Sequence, residues 1–222
     1  EKFSYSVNYA HINEKAIMIG SNFKRDNLSL KLNHNPNAKV QLSFSFRYSD
    51  TEIDGGGANE QEEKSSADSR LKHAVTYAPV PLHGLTTDDT DEEIAGYLIN
   101  PVTYIHDNDR LQERKNYNMA ASFSWEIFRN FQMKTEAGID NNNYNDNRFY
   151  GTTTYYVKNA PTDENQGKPA LIMSDEKKEN FRNTNTLSYD FKDLFGEDHN
   201  MKILAGQEMI KTQAQELTST IH

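Results

Sequence analysis

The residues of this chain that could do chemistry are its histidines, two acidic runs, and a scatter of tyrosines and asparagines, and their spacing decides among them. His11, His34, His73, His83, His106, His199 and His222 stand far apart. None forms an i, i+4 pair beside a glutamate, the arrangement by which one helix face offers two imidazoles to zinc. The run "DTEIDGGG" (residues 50–57) has carboxylates and glycines. It lacks both the glycine-to-helix order of a phosphate loop and the distal glutamate of an EF-hand. "TTDDTDEE" (residues 86–93) could gather oxygens around a hard cation such as calcium, although a solvated acidic loop needs nothing more. The chain has no cysteine, which removes thiolate nucleophiles, thiolate metal sites and disulfides. No serine sits in a nucleophile elbow. The sequence therefore predicts no catalytic residue, no metal and no cofactor.

Binding is better served. Tyr97, Tyr104, Tyr144 and Tyr150 are candidate substrate contacts, with Tyr155 and Tyr156 beside them, because an aromatic face can stack on a sugar ring. The same rings could instead pack the connections that carry them. "DNNNYNDN" (residues 140–147) offers amide donors and acceptors suited to hydroxyl groups, or equally a turn-forming tract.

The elements that must position these residues are strands. "VQLSFSFRYS" (residues 40–49) alternates strictly, with Val40, Leu42, Phe44, Phe46 and Tyr48 on one face. Period-2 runs recur at residues 3–9, 23–33, 117–127, 131–139, 187–191 and 201–209, about seven strands in all. Their connections alternate. Tight turns are expected near Asn35, Arg129 and Asp198, and long connections at residues 53–114 and 141–180. In an up-and-down sheet this places every tight turn at one end and every long loop at the other, as in an outer-membrane barrel. The expected fold is thus all-β, an antiparallel up-and-down meander forming part of a transmembrane β-barrel, with the two long loops external. One short helix is expected in the first of these, near residues 68–77, while "PVTYIHDND" reads as a strand or bend.

Length and charge agree. Most runs reach the roughly 9–11 residues that a tilted strand needs to cross a membrane. Residues 50–93 hold 12 acidic and 3 basic side chains, which accounts for the whole net charge of −9. An acidic chain with no basic stripe does not fit nucleic acid. Trp125, Phe128 and Phe131 at one tight turn, and Phe191 and Phe195 at another, suit a headgroup interface. The chain opens inside an alternating pattern, which predicts one segment (residues 1–222) of a larger barrel domain. A soluble β-rich carbohydrate-binding or adhesion module, burying the same stripes in a core, is the alternative.

Three stretches carry a family resemblance. "YSVNYAHINEKAIMIGSNFKRDNLSLKLN" followed by "KVQLSFSFRYS", the helix-and-proline bend "LKHAVTYAPVPLHG", and "MKILAGQE" together resemble the barrel of SusC-like TonB-dependent transporters. In that family a turn ending near a serine leads into an aromatic–x–Arg–x–Asn return strand, matched here by Ser21 and then by Phe23, Arg25 and Asn27. The resemblance covers essentially all of these residues but only an interior part of that family's barrel sequence; no plug domain or TonB box is among them. It implies a Gram-negative outer-membrane importer in contact with lipid. It also implies a SusD-like surface lipoprotein as partner, TonB engaged through other parts of the protein, and an oligosaccharide or peptide substrate, with glycans foremost.

Overall fold

The computed structural model describes residues 2–55, 74–75, 77, 100–158, 162–191 and 201–222. Seven strands, β1 (Phe3–Lys15), β2 (Asn22–Asn37), β3 (Val40–Asp54), β4 (Asn108–Phe128), β5 (Phe131–Tyr150), β6 (Ala170–Phe191) and β7 (Met201–Ile221), pair antiparallel in sequence order as one open sheet. Two short helices, α1 (Pro101–Asp107) and α2 (Tyr155–Lys158), lie in the connections before β4 and after β5. The all-β meander is as expected from the sequence.

Two connections at one end are minimal. Ala38 and Lys39 join β2 to β3, and Asn37 Oδ1 accepts from the Lys39 amide at 2.8 Å. Pro36, which has no N–H to give a ladder, sits at a register shift between His34 and Asn37, so the turn falls later than the Asn–Pro pair suggested. Arg129 and Asn130 join β4 to β5, with Asn130 at φ 67°, a left-handed conformation that asparagine tolerates. The third expected tight turn, near Asp198, lies outside the described residues, as does the helix expected near residues 68–77 except at positions 74, 75 and 77.

Strand ends are where expectation and structure part. β5 runs on to Tyr150 and β6 begins at Ala170, so the second long connection spans residues 151–169 rather than 141–180. The first spans 55–107 rather than 53–114. "DNNNYNDN" is strand, not loop: every residue from Asp140 to Asn147 pairs with both β4 and β6. Both its faces are polar, so hydrophobic alternation could not reveal it. "PVTYIHD" is helix α1, started by Pro101 and by Asn100, whose side chain accepts from the Val102 amide.

Register sorts the side chains into an oily face and a polar one. Rows such as Tyr5–Leu32–Phe44–Ala121–Ala137 and Val7–Leu30–Phe46–Met119–Ile139–Phe181 run across the strands. The oily band is bounded below by Trp125 and a cluster in which Phe128 stacks on Phe131 at 4.7 Å and Tyr189 meets Phe191 at 4.5 Å. Above, it ends on Tyr9, Tyr48 and Tyr117; the hydroxyls of Tyr9 and Tyr48 donate to Asp26 and Asp50 in the charged row beyond. From the Phe131 row to the Tyr117 row there are five two-residue steps of roughly 6.7 Å, which along strands tilted by about 40° make the band about 25 Å tall. Toward β6 and β7 it is interrupted by Thr135, Asn185 and Asn183. These satisfy one another in a chain of hydrogen bonds (2.9 and 2.8 Å) that ends on the Glu136 carbonyl.

Nothing covers this band among the described residues. Phe3, Tyr5, Val7 and Tyr9 are 55–71% exposed. The buried hydrophobic side chains are Tyr104, Tyr150, Val157 and Ala170, all above the band around α1 and α2. There Asp107 accepts from both the amide and hydroxyl of Thr153 at 2.6 Å, and the Gly151 amide donates to the Asp107 carbonyl. A Cβ on Gly151 would lie 1.6 Å from the Asp107 carboxylate, so any larger residue there would have to displace it from this lock.

Candidate functional site

The polar face is the surface on which recognition chemistry gathers. Two adjacent rows cross its middle: Asn8–Ser29–Arg47–Asn118–Asp140–Asn180, and Ala10–Asn27–Ser49–Asn116–Asn142–Lys178. They are assembled by ladder register alone, because each residue occupies the polar position of an alternating strand. All but Lys178 line a depression of about 490 Å³, which Arg25 also borders. A second depression of about 630 Å³ lies nearer the tight turns, walled by Asn33, Gln41, Ser43, Ser122, Ser124 and Gln132. The face is therefore rich in carboxamides and hydroxyls, each able to donate and accept.

Among the described strands, guanidinium groups project from this face alone. The six arginines within described strands, Arg25, Arg47, Arg110, Arg114, Arg148 and Arg182, all project from it. Lysines occur on both faces, with Lys31 and Lys134 here and Lys24 and Lys115 opposite. Two of the arginines make structural ion pairs. Arg110 grips Asp146 through Nε and Nη2 at 2.9 and 2.6 Å, and Arg182 meets Glu208 at 2.8 Å.

The tyrosines expected to meet substrate divide. Tyr97 lies outside the described residues. Tyr104 is fully buried in α1, where its hydroxyl takes a hydrogen bond from Asn108. Tyr150 is buried too, stacked on Tyr156 at 4.3 Å and covered by Arg148 at 4.5 Å. Both rings pack the connections instead of presenting a free face. Tyr144 differs: it stands on the polar face beyond the band, half-buried, with the Arg114 guanidinium 5.0 Å from its ring centre. Its hydroxyl donates to Asp146 at 3.2 Å. Burial holds that hydroxyl above the ordinary tyrosine value; the Asp146 charge adds to this while Arg110 and Arg114 oppose it. Among the described residues, no group of three histidine, aspartate or glutamate side chains is placed to hold a metal.

No family model matches the sequence, and no curated protein matches it. Solved structures do match. The sheet is similar in fold to part of the RagAB peptide transporter. The TM-score is 0.70 at 14% identity, over 99% of this chain and 24% of that one. The open-open state of the RagAB peptide importer gives 0.71, again at 14% identity, and the closed-closed state 0.65 at 12%. The chain thus spans about a quarter of the RagAB chains it matches. At this identity the likeness establishes the fold, and the register then shows which residues share a surface.

Residue-by-residue reading missed the central row. Asn116 and Asn118 flank Tyr117 in "KNYNMA" as polar alternates of a strand. Only the pairing with β3 and β5 sets them beside Arg47, Ser49, Asp140 and Asn142.

Proposed function

We propose that this chain is an interior arc of the barrel of an outer-membrane nutrient importer of the SusC-like, TonB-dependent class. The observation that carries the reading is the band: about 25 Å of apolar side chains between two aromatic rows, without a protein layer over it among the described residues. A soluble module burying the same stripes would need a second layer, and the buried hydrophobic residues lie elsewhere. Among the described residues, no helix is long and apolar enough to cross a membrane. In this reading the polar face lines the lumen. The chain performs no catalysis, TonB acts through other parts of the protein, and a SusD-like surface lipoprotein covers the external side, where α1 and α2 lie.

Of the two substrate classes, peptide and oligosaccharide, the lumenal wall favours peptide. Stacking on sugars calls for free aromatic faces, and Tyr104 and Tyr150 are buried. Carboxamides in paired rows match the alternating donors and acceptors of a peptide backbone. Solved structures of similar fold include those of a peptide transporter. The test is uptake by cells carrying or lacking the intact gene, together with fractionation. The account expects the protein in the outer membrane and loss of labelled peptide import on deletion. A compact monomer in the soluble fraction would contradict it.

A further inference from the structure

Three of the six lumenal strand arginines have no carboxylate partner among the described residues: Arg25, Arg47 and Arg114. They differ from Arg110 and Arg182 in more than pairing. Arg25 Nε is fixed by Asn27 Oδ1 at 3.0 Å and Ser49 Oγ at 3.3 Å, which leaves its two terminal nitrogens open. Arg114 is held against the Tyr144 ring. Arg47 stands in the middle of the asparagine-lined depression. The one carboxylate there, Asp140, already accepts from Asn118, which separates it from Arg47 in the row.

Register gives the spacing. Arg25 and Arg114 sit either side of Thr51, two strand separations or on the order of 10 Å apart. Arg47 lies four residues along β3 from Thr51, about 13 Å away. That is also the span of about four residues of an extended peptide. A guanidinium presents a planar fork that matches a carboxylate with two parallel hydrogen bonds, which an ammonium cannot do.

We propose that Arg25, Arg47 and Arg114 form a carboxylate-binding site that takes acidic peptides. One acidic side chain meets Arg25 and Arg114, a second about four residues away meets Arg47, and Asn27, Asn116 and Asn118 bond to the backbone between them. The proposal rests on the importer reading and names the substrate class of that same lumen.

The test uses the full-length transporter and heptapeptides capped at both ends, one with aspartate at its second and sixth positions and one with asparagine there. The aspartate peptide should bind at least tenfold tighter at low salt, with the advantage shrinking as salt rises. The double variant Arg25→Gln/Arg114→Gln and the single Arg47→Gln should each lose far more affinity for the aspartate peptide than for the asparagine one. The melting temperature of the ligand-free protein should be unchanged. Equal binding of the two peptides by the unmodified transporter overturns the site but leaves the importer reading standing. So do variants that lower the melting temperature and weaken both peptides alike, since the arginines would then pair within the protein. A uronate oligosaccharide bound in preference to its neutral counterpart, with neither peptide bound, overturns the peptide source. A transporter that binds and imports neither peptides nor glycans removes the reading beneath the proposal.

Discussion

Between the Trp125 row and the Tyr117 row the described sheet buries no hydrophobic side chain, whereas just beyond it Tyr104, Val157 and Ala170 are at most 1% exposed. The strands are the same and the ladders are continuous from one region to the other. What differs is the surroundings each region is built for. The upper region carries its own small core and a side-chain lock around Asp107. The lower relies on backbone pairing and, in the proposed reading, on an apolar medium outside it. A sheet can therefore be fully paired and still half-solvated, if the missing layer is lipid.

Two neighbouring alanines separate the two faces most severely. Ala121 lies on the oily face between Phe44 and Ala137; Ala120 lies on the polar face between Ser45 and Gly138. Arginine at 121 should destabilise the full-length protein in bilayers by about 3 kcal/mol, the cost of a guanidinium near the midplane. The same change at 120 should cost no more than roughly 0.5 kcal/mol. Denaturant titration of the two variants in lipid vesicles gives both numbers, and equal costs would remove the distinction between the faces.

A smaller effect sharpens the upper side. Gly151→Ala must displace the Asp107 carboxylate from Thr153, for a loss of about 2 kcal/mol. Hydrogen exchange should speed up at the ends of β4 and β5 near Asn108 and Tyr150 and stay unchanged at Met119 and Ile139. Smallest is Tyr48→Phe, which removes the 3.1 Å bond to Asp50 at the upper aromatic row. It should cost under about 1 kcal/mol and leave exchange beyond the band untouched, as measured by the same titration.

The comparison also explains what the sequence could reveal. Where one face meets oil and the other water, as from Val40 to Tyr48, period-2 alternation exposes the strand and its inward side. Beyond the band both faces are wet, and Asn141 to Asn147 carry no such contrast, so ladder pairing extends the strands where hydrophobicity is silent. On β6 the interruption by Asn183 and Asn185 weakens the alternation even inside the band. The burial of two tyrosines was hidden for a related reason. Tyr104 and Tyr150 lie in or beside connections expected to be solvated, yet α1, α2 and Gly151 fold over them. The lumenal arginines and asparagines were visible as polar alternates, but their juxtaposition depends on register between strands far apart in sequence.

The central claim is that the band from Trp125 to Tyr117 faces lipid while its alternates face water. Spin labels placed one at a time on single cysteines at positions 44–47 and 118–121 of the full-length protein in bilayers test it directly. Labels at 44, 46, 119 and 121 should collide preferentially with dissolved oxygen, and those at 45, 47, 118 and 120 with a water-soluble nickel reagent, switching at every residue. Uniform accessibility to the nickel reagent, or the opposite phase, would contradict the account.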